Sequence, residues 1–185
     1  MSANRLAGAA CALALMSFAA LSASADVVVG GSAMFPQKNI VENAANSKDH
    51  TTLVAAVKAA GLVDTLEGNG PFTVFAPVNA AFAALPAGTV DMLLKPENKA
   101  TLTKVLTYHV VPGRYTSVDI DKLIRKGNGT AMLKTASGGT LTFAKNGERN
   151  ITVTDETGAV ADISIYDVLQ SNGVIYSVDR VLMPR

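Results

Sequence analysis

Cysteine, tryptophan and histidine are scarce in this chain, and each scarcity closes a class of function. The 185 residues hold one cysteine, Cys11, no tryptophan, and two histidines, His50 and His109. Two histidines cannot assemble a His-rich zinc site. A single cysteine gives no disulfide framework, no sulfur-ligated cluster and, placed as it is, no thiol catalysis. No P-loop, G-x-G-x-x-G or G-x-S-x-G sequence occurs, and the runs "GNGP" and "GNGT" read as turns. The six methionines are too scattered for a thioether metal site. No cofactor, no metal ligand and no catalytic residue is therefore expected.

Charge of one sign is also lacking. Lys and Arg number 16 against 15 Asp and Glu, a formal net charge of +1. No basic run interrupts the balance, so the footprint of a nucleic-acid binder or a polybasic membrane signal is missing.

What is present begins at the N-terminus. Arg5 precedes an apolar run from Leu6 to Leu21, and "ASA" (Ala23 to Ala25) precedes Asp26. That is the layout of a secretory signal with an A-x-A cleavage site, and the run is too short for a membrane span. Residues 1–25 are expected to be removed, Cys11 with them, leaving a cysteine-free chain with 15 basic and 15 acidic residues, net 15 − 15 = 0. The product is expected to be secreted or periplasmic. Its stability must come from a packed core, since no staples remain.

Residues 26–36 read as a short lead-in ending at Pro36, and 37–185 as one domain. Ile40, Val41, Ala44 and Ala45 recur at helical spacing, as do Leu53, Val54 and Val57 in the next segment, with Asp49 or Thr51 as its cap and Gly61 as its stop. A further helical turn covers Leu62 to Leu66. Thr89 is placed to cap another helix, and Pro96 suits a first helical turn. Leu102, Val105, Leu106 and His109 share one face of a helix that ends before Pro112-Gly113. From Gly129 onward the pattern changes to short alternating runs, "TLTFA", "ITVTD", "AVADISIY" and "VIYSVDRVL", separated by Gly-Gly, Asn-Gly and Thr-Gly punctuation. Helices first and strands later predict an α+β domain.

Three segments carry more than periodicity. In "FTVFAPVNAAFAAL", Phe72 to Ala76 read as a strand buried on both faces. Pro77 then ends the ladder, and Asn79 is placed to cap the helix that follows, with Phe82 on its apolar side. "TYHVVPG" puts Tyr108 and His109 at the end of an apolar helix. A histidine there is expected to be a neutral core residue with both ring nitrogens bonded to the backbone. "NGVIYSVDRVLMP" puts Asn172-Gly173 in a turn and Asp179 beside Arg180, as an ion pair or a cap.

Together, "TVFAPVNAAF" (Thr73, Phe75, Pro77, Asn79, Phe82), "TYHVVPG" and "NGVIYSVDRVLMP" (Asn172, Gly173, Asp179) resemble, in order and spacing, the signature boxes of the fasciclin, or FAS1, domain. The resemblance covers Ile40 to Pro184. It implies a β-wedge or sandwich with helices packed around it, and a non-enzymatic role in cell adhesion or matrix binding through a surface protein or glycan. Tyr176 stands where that box often has histidine, so nothing needing a second imidazole there carries over. Asp167-Val168 resembles the aspartate-isoleucine pair linked to adhesion in animal modules. Tyr108, His109, Asp167 and Val168 are accordingly the candidate partner-binding residues, on a module working as a monomer. Two rivals remain at this stage: a periplasmic small-molecule carrier or sensor, which predicts a sizeable apolar pocket, and a hydrolase using His109.

Overall fold

The computed structural model describes residues 27–148 and 150–185. The expected signal segment lies outside the described residues.

The chain opens with a hairpin, β1 (Val27–Val29) and β2 (Ser32–Met34), followed by α1 (Ile40–Asn46), a 3-10 turn (Lys48–His50), α2 (Thr51–Ala60) and α3 (Val63–Glu67). Then come β3 (Phe72–Pro77), α4 (Asn79–Ala83), α5 (Thr89–Leu93), a 3-10 turn (Pro96–Asn98), α6 (Lys99–Tyr108) and β4 (Val110–Pro112). The C-terminal part contains α7 (Ser117–Lys126), β5 (Thr130–Lys134), β6 (Thr140–Asn146), β7 (Asn150–Thr154), β8 (Val160–Gln170) and β9 (Gly173–Val178). β1 and β2 pair only with each other. The other seven strands form one sheet in the order β4-β3-β9-β8-β7-β6-β5, antiparallel except for the parallel pair β3–β9. The Ala136 N–H donates to the Val110 carbonyl at 2.7 Å, linking the segments after β5 and at β4, so the sheet nearly closes on itself. The class is α+β, as the composition of the two halves predicts.

β3 and β9 divide the hydrophobic core in two. Side chains alternate across a strand, so Val74, Ala76 and Ile175 face a cluster built with α1, α2, α4 and α6. Phe75, Val174, Tyr176 and Val178 face a second cluster, filled by Ile120 and Ile124 of α7 and by Leu141, Phe143 and Val153 of the curved sheet. Phe75 stacks on Tyr176 at 5.3 Å between ring centroids and meets Phe143 at 5.2 Å. The reading of β3 as buried on both faces holds, and β9 is buried along its whole length.

Several local readings change. The lead-in is a hairpin whose Val29 and Met34 enter the helix-side core. Neither Asp49 nor Thr51 caps α2, and Gly88 rather than Thr89 precedes α5. Gly61 does stop α2, in the left-handed conformation at φ 70°. The final strand ends at Val178, four residues before the alternation in "VIYSVDRVL" does. α7 went unread, although Thr116 and Asp119 form a capping box at its start and Ile120 and Ile124 line its buried face.

The hairpin between β8 and β9 depends on Gly173. Its partner across the turn is Gln170, so Ser171 and Asn172 are the turn residues and Gly173 opens the strand. A Cβ at Gly173 would lie 2.2 Å from the Phe72 carbonyl oxygen and 2.9 Å from Ile40 Cδ1. Since backbone must move to relieve the first clash, Gly173→Ala is expected to lower unfolding free energy by about 3 kcal/mol. Urea titration of the variant checks this, and a loss under about 1 kcal/mol would show that the β3–β9 spacing yields easily.

Candidate functional site

The signature side chains act as ties between elements. Asn79 is the first residue of α4 and does not cap it; Val78 occupies the cap position. Its side chain turns instead to the neighbouring helix. Asn79 Oδ1 accepts from the Thr52 N–H at 3.0 Å and the Thr51 hydroxyl at 3.2 Å, and Nδ2 donates to the Lys48 carbonyl at 2.8 Å. The orphan donors at the start of α2 are thus capped from a distant segment. Asn172 does the same for α1. Its Oδ1 accepts from the Ile40 N–H at 3.0 Å while Nδ2 donates to the carbonyls of Leu66 and Gly68. Thr73, fully buried, donates to the Gly113 carbonyl and accepts from the Tyr115 N–H. Pro77 ends β3 and Phe82 packs in the helix-side core. Asp179 takes the capping alternative: its Oδ1 accepts from the Asp162 N–H at 2.8 Å.

Tyr108 is fully buried. Its hydroxyl donates to the Thr140 carbonyl at 2.8 Å and accepts from the Glu156 N–H at 2.9 Å, tying α6 to the curved sheet. Burial first, then the nearby acidic groups, pushes its pKa up to about 12. His109, 2% exposed, caps the C-terminus of α6. Its Nδ1 lies 2.8 Å from the Val105 carbonyl, and its Nε2 lies 2.9 Å from the Leu182 N–H. A carbonyl only accepts and an N–H only donates, so the ring is neutral with its proton on Nδ1. Loss of solvation on burial lowers its pKa to about 4.

Asp167 adopts φ 53°, in the left-handed region, within the bulged stretch of β8. That bend aims its carboxylate at the start of α7, where Oδ1 accepts from the Ser117 N–H at 2.7 Å and Oδ2 from the Ser117 hydroxyl. The Tyr176 hydroxyl shares its proton between Asp167 Oδ1, at 2.8 Å, and the Tyr115 carbonyl, at 2.9 Å. Burial, then Asp167, raises the Tyr176 pKa. Val168 is 1% exposed and belongs to the helix-side core.

Four candidate contact residues thus have interior work. Tyr108, His109 and Val168 offer no surface to a partner as folded, and the half-buried Asp167 spends both carboxylate oxygens on α7 and Tyr176. They also do not form one cluster: Val168 faces the helix side, while Tyr108 and Tyr176 face the other core. A Ser–His contact does exist, unmarked by any motif. Ser47 Oγ lies 2.9 Å from His50 Nδ1, and Ser177 Oγ lies 3.4 Å from Nε2. All three residues are buried, His50 is shifted toward the neutral form chiefly by burial, and no carboxylate among the described residues bonds the ring.

The fasciclin domain model matches residues 48–184. This chain belongs to the fasciclin domain family. Among fasciclin-domain relatives, Protein sll1483 of Synechocystis sp. is 47% identical over 158 residues, covering 85% of this chain and 79% of its own. Immunogenic protein MPB70 of Mycobacterium bovis is 35% identical over 153 residues, covering 80% and 70% respectively. The fold is that of the FAS1 domain pair from the insect cell adhesion molecule fasciclin I. That match has a TM-score of 0.69 at 16% identity over 79% of this chain, and this chain spans 51% of the two-domain structure. The fasciclin fold of the present chain therefore places its signature residues at the joints of the domain.

Protonating His109 would turn Nε2 into a donor facing the Leu182 N–H. The folded-state pKa, about 4, lies below the ordinary 6.5, so the unfolded chain takes up the proton first as pH falls. Stability is complete above about pH 6.5 and declines toward pH 4 by up to about 1.4 kcal/mol per pH unit. Denaturant titrations at pH 7.5 and 5.0 are expected to differ by about 2 kcal/mol, the acid value being lower. Equal stabilities would show that His109 is not held neutral.

Proposed function

We propose that this fasciclin domain is an exported, non-enzymatic module that binds a protein or glycan of a cell surface or matrix. The observation that carries the reading is the engagement of the signature side chains inside the fold. With Asn79, Tyr108, His109, Asp167 and Asn172 bonded to backbone or to one another, contact with partners falls to the outer strands and helices. The adhesion molecule that shares the fold supports this, and the N-terminal signal pattern supports export. At zero net charge after export, shape and hydrogen bonding outweigh long-range steering.

The carrier reading is less well supported. The apolar cavity between α1, α2, α3 and β3, lined by Ile40, Val54, Val57, Val63 and Ile175, encloses about 40 Å³, against roughly 300–1,000 Å³ for ligand pockets. A hydrolase of the Ser–His type would have to work with His50 or His109, both buried.

Purified chain is expected to bind immobilised cell-surface or matrix extract saturably and to show no esterase or glycosidase turnover. Asp167→Ala is expected to lower stability by about 2 kcal/mol, through the buried donors it leaves unpaired, yet to retain binding when assayed below its unfolding transition. Absence of saturable binding across extracts, or turnover abolished by His50→Ala, would count against the proposal.

A further inference from the structure

The outer face of β5 to β8 carries an organised surface that no signature segment contributes to. Strand register aligns Met132, Thr142, Thr154 and Val160 in one row across four strands, and Thr130, Ala144, Thr152 and Asp162 in the next. These side chains lie on the face opposite Leu133, Leu141, Phe143, Val153 and Ala161, and Thr152 alone among them is buried. Lys134 and Thr140 begin a third row. Neighbouring strands lie about 4.8 Å apart, and alternate residues about 6.8 Å apart along a strand. Thr130, Thr140, Thr142 and Thr154 therefore present hydroxyl and methyl groups at spacings that the strand register fixes.

Three features select an occupant. First, charge is confined to the margins: the row from Met132 to Val160 has none, and the next has only Asp162 at its end. Second, the hydroxyls of Thr130, Thr140, Thr142 and Thr154 take no protein hydrogen bond among the described residues, whereas Thr152 donates to the Ala144 carbonyl. Unengaged hydroxyls both donate and accept, which suits a ligand that is itself hydroxyl-rich. Third, the two rows contain no Arg or Lys that would pair with a charged polymer. Their exposed apolar groups are Met132, at 72%, and Val160, at 50%. A shallow depression of about 360 Å³ adjoins this face, lined by Met132, Thr140 and Thr142, with Asp155, Glu156 and Arg185 at its rim. Its carboxylates are already engaged, Asp155 by the Thr157, Ala159 and Met183 N–H groups and Glu156 by the Thr140 and Arg185 N–H groups, so the depression offers a ligand the Thr140 and Thr142 hydroxyls.

We infer that this face docks an uncharged polysaccharide, with threonine hydroxyls bonding sugar hydroxyls and threonine, alanine, valine and methionine side chains packing on sugar C–H faces. The inference rests on the surface-binding reading above and names its partner class and place.

Affinity electrophoresis of the full chain in native gels containing dextran, galactomannan or mixed-linkage β-glucan tests it, with polygalacturonate as the charged control. Retardation by at least one neutral polymer is expected, at least tenfold stronger than by polygalacturonate. Thr142→Lys combined with Thr154→Lys is expected to weaken it at least tenfold. Thr142→Ala combined with Thr154→Ala, which adds no charge and preserves a folded control, is expected to weaken it at least threefold. Failure of all three neutral polymers, or wild-type retardation in the alanine variant at an unchanged melting temperature, overturns the inference. So does light scattering that shows these substitutions dissociating a dimer, which would make the face a self-association surface. A wild-type chain that binds extract but none of the polymers overturns only this inference. A chain that binds neither overturns the surface-binding reading as well.

Discussion

The parallel pairing of β3 with β9 puts two strands in the middle of the domain with side chains buried on both faces. Strands so placed have no solvent on either side to satisfy their ends or the helices stacked against them, and an unpaired buried donor costs about 1–3 kcal/mol. The signature side chains answer that requirement. Thr73 bonds the turn after β4, Asn172 bonds α1 and α3, and His109 bonds the last segment of chain at Leu182. The backbone participates too: the Phe75 N–H donates to the His109 carbonyl at 2.9 Å, and the Phe72 N–H to the Asn172 carbonyl at 3.0 Å.

This constraint explains which parts of the fold were legible in the sequence. Apolar alternation in "FTVFA" and helical spacing in Leu102, Val105 and Leu106 report burial directly, so β3 and α6 could be read from single segments. His109 was legible as a neutral core residue for the same reason. The role of Asn79 was not. Both a local cap and a distant one require an asparagine after a strand, and only tertiary proximity puts its amide beside Thr52 and Lys48. The same holds for Asp167, singled out by its resemblance to an aspartate-isoleucine pair: a dipeptide does not show that Ser117 and Tyr176, 50 and 9 residues away, converge on the carboxylate. α7 is a different case, since Thr116, Asp119, Ile120 and Ile124 carry a local signal.

Tyr176 shows how one side chain can join several elements. Its ring stacks on Phe75 in the second core, while its hydroxyl reaches both Asp167 and the Tyr115 carbonyl. A side chain long enough to span that distance couples β9 to the bulge in β8 and, through Ser117, to the N-terminus of α7. The strained backbone of Asp167 is thereby held by three elements at once.

Under the proposed surface-binding role, a domain whose polar signature groups are spent internally would meet a partner with residues that its own stability does not require. The outer face of β5 to β8 meets that condition. Leu141, Phe143 and Val153 anchor those strands from below, while Thr142 and Thr154 above them are only partly buried and their hydroxyls take no protein hydrogen bond among the described residues. Because strand register fixes the spacing of those hydroxyls, the rigidity supplied by the buried joints would reach the surface as a preorganised array and lower the entropy lost on binding the proposed repeating ligand. The signature residues would then matter to recognition without touching the partner, by holding the strands of the platform in register.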